Sequence, residues 1–378
     1  MAIKAVDLTA QNAEIRDRAQ LEIAAVHQSG RYLGGKQVDA FEEEFAGYLN
    51  VRRVVCVSNG SEALCLALKA MGVGAGDEVI TVPMAFVAAV EAIVRVGARP
   101  VFIDVDPVSC NMSVAAVRRY LEAGRFSSRN GPRIILPAHL YGLPAPIDEL
   151  KKIASAFALK IVEDAGQAQG ARIKLGRRWR CAGSLADAGC FSLDPTANLG
   201  AWGNAGAVAS NDDELAEHID LLRNHGRVSR FTHAVCSHEA RLDALQAAVL
   251  RAKLERLEAW NGRRREIAKM YRDGLADAPL TLPVDPAGFQ SCYHRFVIRS
   301  PLRNAIREAL RKSDIETGVH YPVPLHLQPA YRFLKYRRGD FPVAESIAKT
   351  ALSLPIHPHL SQADVEKVVG AVKSAIRR

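Results

Sequence analysis

Three short stretches of this 378-residue chain carry side chains that could do chemistry. One is Val162-Glu163-Asp164-Ala165-Gly166-Gln167, an apolar run that ends in acids and then turns through small residues. A carboxylate at the carboxyl end of a strand stands where open α/β sheets receive ligands, and the same acid equally suits a helix N-cap. Another is Ser58-Asn59-Gly60-Ser61, where an apolar strand over 54–57 runs into a helix. Free N–H groups and the positive dipole end at Gly60-Ser61 suit an anion such as phosphate, although Asn and Ser are also ordinary caps. The last is DAGCFSLDPTANLGAWGNAGAVASND, Asp187–Asp212. It reads as a strand ending at Phe191-Ser192, an irregular turn through Asp194-Pro195-Thr196, and a return into a second strand over Ala205–Ser210. Pro195 fixes its own φ, and Gly200, Gly203 and Gly206 are expected to permit sharp or left-handed turns. A turn of this kind between buried strands is a common seat for a reactive side chain.

The elements that must position these stretches alternate in type. A helix over 11–29 ends at Gly30, and VDAFEEEFAGYLN follows as an amphipathic helix with Phe41, Phe45 and Leu49 on one face. Glu78–Val82 reads as a strand, Ala85–Val96 as a helix opened by Phe86, and Pro100–Asp104 as a strand. Phe86 taken alone is a core residue. A helix over 112–124, a strand over Arg133–Pro137, a helix over Ile147–Phe157 and a strand over Lys160–Val162 continue the series. Strand–helix alternation from about 54 to 210 calls for a mostly parallel sheet covered on both faces. No GxGxxG follows a strand, so a Rossmann dinucleotide site is not supported.

Beyond Asp213–Asn224, a further helix, a long helix is expected from about Ala240 to Leu275. Its apolar stripe is Leu242, Leu245, Val249, Leu250, Leu254 and Leu257, and its length suits a bridge between domains. Ala276–Gln290 is a Pro- and Gly-rich linker. The expected organisation is a large domain over 1–239, a connecting helix over 240–275 and a small α/β domain over 276–378, as a chain of this length favours.

With 48% hydrophobic and 24% charged residues the composition is that of an ordinary globular protein. No apolar run nears the ~20 residues needed to span a bilayer, and MAIKAVDLTAQNAEIRDR has no signal-peptide core, so a cytoplasmic location is expected. The seven cysteines are odd in number and show no CxxC pair, which points to reduced, mostly buried thiols and to no metal site. The formal charge of +9 is spread along the chain without interleaved aromatics. It fits attraction for an anionic small molecule such as a sugar nucleotide, with no nucleic-acid or membrane partner.

The Asp187–Asp212 stretch resembles the Schiff-base loop of the DegT/DnrJ/StrS-type sugar aminotransferases, whose pattern is roughly F-S-(aromatic or His)-x-T-K-N-L-G. Ser58–Leu64 is similar to their N-G-T-x-A-L motif, and Glu163–Ala171 to E-D-A-A-Q-A-H-G-A, with Gln169 in place of His. His294–Ile298, Gly318–His326 and Leu352–Pro358 resemble three further signatures in the same order. The resemblance covers almost the whole chain. It implies a fold-type I architecture and pyridoxal 5'-phosphate (PLP) or pyridoxamine 5'-phosphate (PMP) as cofactor. By that resemblance Asp164 tunes the pyridine nitrogen, Gln167 contacts the 3-hydroxyl, and Phe86 stacks on the ring. The Gly60 and Ser61 amides with the Ser192 hydroxyl hold the phosphate, Tyr321 and His326 contact substrate, and the active sites are shared across a homodimer.

The position of the Schiff-base lysine is Ala197. Alanine can neither hold PLP covalently nor carry the proton between substrate carbon and cofactor. Asp194 stands where the family has His, Tyr or Phe. Glu239 stands about where an Asn reaches the partner subunit's cofactor phosphate; at ~4 Å the repulsion would be ~1 kcal/mol in bulk water and several times that in a dry site. Retention of Ser61, Phe86, Asp164, Gln167 and Ser192 favours an engineered lysine replacement in an aminotransferase acting on a keto-sugar or keto-cyclitol. Two alternatives stay open. One is a natural lysine-less sugar dehydratase or isomerase using PMP or no cofactor; the other is a silent subunit partnering an active paralogue.

Overall fold

The computed structural model describes residues 2–124, 126 and 130–377. Helices α1 (Leu8–Ser29) and α2 (Lys36–Leu49) lead into β1 (Arg53–Val57) and α3 (Gly60–Ala70). Then come β2 (Glu78–Thr81), α4 (Ala88–Arg95), β3 (Arg99–Phe102), α5 (Val114–Ala123), β4 (Pro132–Ile135) and α6 (Ile147–Ala156). After β5 (Lys160–Asp164), the hairpin β6 (Arg172–Leu175) and β7 (Arg178–Cys181) precedes β8 (Ala188–Ser192) and β9 (Gly206–Ser210). The expected boundaries shift by a few residues. β5 runs on to Asp164, and α4 starts at Ala88, so Phe86 lies in the turn before that helix and does not open it. Phe86 is also no core residue: it is 54% exposed.

The main sheet has the order β1-β9-β8-β5-β4-β2-β3, and β9 alone runs against the rest. Its faces follow the period of 2 that strands impose. Ile80, Ile135 and Ile161 pack into one apolar cluster, while Val79, Ile134 and Val162 pack into another on the opposite face. Both faces are covered, as a mostly parallel sheet requires. Phe41, Phe45 and Leu49 of α2 are fully buried against Phe191 of β8, which ties the sequence-visible stripe to the strand that carries Ser192.

α7 (Asp213–Arg223) is followed by the short hairpin β10 (Arg227–Ser229) and β11 (Thr232–His233). The single helix expected over 240–275 is two: α8 (Ala244–Leu254) and α9 (Leu257–Leu275). The break falls at Glu255-Arg256, where Arg256 (φ −101°, ψ −13°) departs from ideal helix angles. α8 packs on α1 and α2 while α9 packs on the C-terminal helix, and one straight rod cannot bury both apolar faces. β12 (Phe289–Gln290) pairs with β6. β13 (Phe296–Arg299), α10 (Arg303–Lys312), α11 (Pro342–Thr350), β14 (Ala351–Leu354) and α12 (Gln362–Ile376) complete the chain. β13 and β14 form an antiparallel pair, and a separate cluster around Tyr271, Phe296, Leu310 and Val368 fills the space beneath them. Six of the seven cysteines are buried and Cys236 is exposed. Among the described residues no helix is long and apolar enough to cross a membrane.

Candidate functional site

The carboxyl ends of β1, β2, β5 and β8 converge on a cavity of about 690 Å³. From β1, the chain turns through Asn59, whose side-chain oxygen accepts the Glu62 N–H at 2.9 Å and so starts α3 at Gly60 and Ser61. Gly60 is demanded by space: a Cβ there would lie 2.6 Å from the Cβ of Ser192. Helix start and strand end are thus in direct contact, which leaves α3 amides and the Ser192 hydroxyl on one wall.

β5 delivers Asp164, whose Oδ1 accepts the Gly166 N–H at 3.1 Å. Burial pushes its carboxyl above the ordinary aspartate range, against that hydrogen bond and the nearby His139. Gln167 is held at both ends. Its Oε1 accepts the Tyr141 N–H at 2.9 Å, and its Nε2 donates to Tyr321 Oη at 3.0 Å. Tyr321 in turn lies 6.2 Å, centroid to centroid, from the exposed ring of Phe86, and its phenol is pushed up to about 12 by burial. Gln169 does not line the cavity; its Nε2 donates to Gly166 O at 2.9 Å and to Ser192 O at 2.6 Å, which ties the two strand-end loops together.

The loop after β8 is organised by Asp194. Its Oδ1 accepts from Thr196 N at 2.9 Å and Thr196 Oγ1 at 2.7 Å, and its Oδ2 accepts from Ser192 Oγ at 3.2 Å. The glycines serve close approach rather than left-handed turns: Gly200, Gly203 and Gly206 all lie outside positive φ. A Cβ at Gly200 would sit 2.2 Å from Asp194 O, and one at Gly206 2.3 Å from Asn59 O. Ala197 donates its N–H to Asp194 O at 3.0 Å and is buried, directly after Thr196, which lines the cavity with Asp194. The next residue, Asn198, donates to Asn261 Oδ1 at 2.8 Å and Cys292 O at 3.0 Å, so the loop is fastened to α9 and the C-terminal segment.

Gly60, Ser61, Phe86, Asp164, Gln167, Ser192 and Tyr321 are therefore brought together, as the sequence suggested. Three residues are not, one of them the buried Ala197 beside Thr196. His326 is buried against Phe341, with Nε2 3.2 Å from Glu345, because Leu325 N–H is anchored on Pro83 O and turns the imidazole inward, away from the cavity. Glu239 pairs with Arg241 at 2.7 Å and His225 at 3.2 Å outside its own chain's cavity, and the Arg241 hydrogen bond holds its carboxyl down at about 2. Residues that sequence reasoning passed over also line the wall, among them Asn204, His294, Arg295 and His320. Their signal was present, since the His294–Ile298 and Gly318–His326 signatures contain all but Asn204.

Residues 13–373 match the DegT/DnrJ/EryC1/StrS aminotransferase family. The chain is 43% identical over 377 residues to the erythromycin biosynthesis sensory transduction protein EryC1 of Saccharopolyspora erythraea, covering 99% of this chain and 100% of that one. It is 41% identical over 374 residues to the dTDP-3-amino-3,4,6-trideoxy-α-D-glucose transaminase of Streptomyces venezuelae, covering 99% and 96%. Its fold superposes on the crystal structure of S. venezuelae DesV in complex with a ketimine intermediate with a TM-score of 0.95 at 39% identity, over 100% of this chain and 99% of that one.

Proposed function

The chain belongs to the DegT/DnrJ/EryC1/StrS aminotransferase family, and on that premise we propose that its cavity holds PLP or PMP without a covalent bond and receives a nucleotide-linked keto-sugar or a keto-cyclitol. The observation that carries this reading is the meeting, in one cavity, of Gly60, Ser61, Phe86, Asp164, Gln167 and Ser192 from four separate strand ends. The residues present fit such a cofactor. The Gly60–Ser192 contact, too close for any Cβ, leaves amides and a hydroxyl for a phosphate. The exposed Phe86 ring offers a stacking face. Asp164, its carboxyl raised by burial, would hold the ring nitrogen, and a cation there would draw it back to the charged form. Gln167, fixed by Tyr141 and Tyr321, would orient the ring hydroxyl. When bound, the cofactor supplies an electron sink for the carbon that bears the amine.

Ala197 occupies the place of the family's Schiff-base lysine, and its methyl can neither bond the cofactor nor shuttle a proton. This chain is therefore expected to be inactive in transamination. The shared active sites of a homodimer would bring Glu239 of one subunit toward the phosphate of the other; a monomer that binds cofactor fully after dilution would refute that part. The test of cofactor binding is calorimetric titration with PMP, for the protein and for Asp164→Asn. Binding that weakens at least about tenfold in the variant supports the reading, since a charge-assisted hydrogen bond is worth about 1.5–3 kcal/mol; absence of binding to both refutes it.

One observation favours a second reading, in which Ala197 is native. Asp194, where the family has His, Tyr or Phe, is built into the loop by three hydrogen bonds. A single lysine exchange made by engineering does not bring that residue. A natural lysine-less dehydratase or isomerase, or a silent subunit beside an active paralogue, accounts for it.

A further inference from the structure

The cavity is also lined by a cation that forms no ion pair among the described residues. Arg295 follows the buried His294 just before β13, and its backbone N–H is fixed on Tyr141 O at 3.1 Å. Among the described residues its guanidinium forms no ion pair and donates no hydrogen bond, although the side chain is half-buried and lines the cavity beside His320 and Tyr321. Several half-buried arginines of this chain behave otherwise. Arg172, Arg223, Arg241 and Arg251 each sit on a carboxylate within 2.8 Å or 3.1 Å. Asp194 is near enough to interact with Arg295 electrostatically but lies beyond ion-pair contact, and its oxygens are already taken by Ser192 and Thr196. Beside it, His294 is 8% exposed, lines the same cavity, and has an Nδ1 without a partner among the described residues. The cationic field of Arg295 is felt by its neighbours: burial and then Arg295 hold His294 well below the usual histidine range and His320 down at about 4, so neither shares its charge at neutral pH.

A fixed, partly desolvated guanidinium with its donors unspent is built to receive an anion, and its planar fork matches carboxylate and phosphate oxygens. We propose that Arg295 is the anion-recognition residue of this cavity, taking a carboxylate or phosphate group of the substrate against the Tyr321–His320 wall. The assignment rests on the reading of the cavity as a cofactor and sugar-substrate site, and it gives that site a preference for a substrate with a negative group near the reacting end.

The test uses the full-length protein and three probes, dTDP, D-glucuronate and PMP, titrated calorimetrically into the unsubstituted chain, Arg295→Leu and Arg295→Lys. The expected result is that dTDP or glucuronate binds about tenfold or more weakly to Arg295→Leu, with partial recovery in Arg295→Lys, as loss of a charged hydrogen-bonded partner implies. PMP affinity should change by less than about twofold, and melting temperatures of the three proteins should agree. A loss confined to dTDP identifies a phosphate as the bound group; a loss confined to glucuronate identifies a carboxylate. Unchanged binding of both anions in Arg295→Leu, or no binding of either to the unsubstituted protein, overturns the assignment. A loss of PMP affinity in Arg295→Leu overturns it too, by giving Arg295 to the cofactor phosphate. Failure of PMP to bind any of the three, with anion binding still dependent on Arg295, refutes the cofactor reading and leaves this one standing.

Discussion

Replacing Glu163 by glutamine should unfold the protein more readily than any exposed Glu→Gln exchange, and should loosen the site with it. Glu163 is wholly buried at the end of β5, next to Asp164. Its Oε2 accepts from Gly183 N–H and His139 Nε2, both at 2.9 Å. Its Oε1 accepts from Leu185 N–H at 2.7 Å and Ala186 N–H at 2.9 Å. His139 Nδ1 accepts the Ala145 N–H at 2.8 Å, so the imidazole proton is on Nε2 and faces the carboxylate. Every group around Glu163 is therefore a donor. Glutamine keeps one acceptor oxygen and turns the other into an NH2 that faces two donors, whichever way the amide is set. Two charge-assisted hydrogen bonds are lost at about 1.5–3 kcal/mol each, so the variant should lose about 3–6 kcal/mol. The assay is urea unfolding followed by tryptophan fluorescence, with Glu122→Gln, exposed on α5, as the control. Because the backbone N–H of His139 donates to Asp164 O at 3.0 Å, PMP affinity should fall as well. Unfolding within about 1 kcal/mol of the control would show that the donor cage around Glu163 does not hold the strand end.

Gly60→Ala should cost about 1–3 kcal/mol by overpacking against Ser192 and abolish PMP binding, whereas Gly47→Ala, with nothing within 4 Å of its new methyl, should leave binding intact; calorimetry of the two variants decides it. Asp164→Asn should raise the melting temperature of the cofactor-free protein at neutral pH. A raised acid pKa gives stability that is present below the unfolded value and lost as pH rises through the folded one, so the gain should narrow as pH falls toward about 3.9. Lys253 is buried in α8 with, among the described residues, only Gln11 Oε1, 3.3 Å away, for its ammonium, and burial brings its pKa down to about 8. In that case the unfolded chain holds the proton more tightly, so stability rises between pH ~8 and ~10.5; Lys253→Met should be more stable by up to about 3 kcal/mol at pH 7 and lose that margin across the same window, as thermal melts against pH would show.

Much of the fold was legible because its strands are buried on both sides and its helices on one. The Phe41-Phe45-Leu49 stripe and the apolar runs of β1, β2 and β5 leave little choice of element. At Asp164 and at Gly60-Ser61 local pattern alone leaves a ligand site and an ordinary helix cap both open, and it is the resemblance to the family motifs that makes the site legible. Other features depend on contacts distant in sequence. Nothing local reports that α8 and α9 must bend at Arg256 to reach different partners, or that Phe86, apolar and helix-compatible, faces a cavity. The glycines of the loop after β8 suggest turns in the sequence but serve close approach in the fold, since the Asp194 and Asn59 carbonyls that crowd Gly200 and Gly206 are brought there only by folding. Arg295 was passed over because its meaning is the absence of a carboxylate partner, which a sequence does not display. His326 sat in a convincing signature and turned away, held by Glu345.

The central claim is that this is a cofactor pocket silenced at position 197. The most direct measurement is the absorbance spectrum during titration with PLP and with PMP, for the protein and for Ala197→Lys side by side. The expected result is that the unsubstituted chain binds both without a yellow Schiff-base band, while Ala197→Lys turns yellow with PLP and is bleached by an amino donor. Failure of both proteins to bind either cofactor would contradict it and leave a cofactor-free enzyme or a silent partner subunit as the account of this fold.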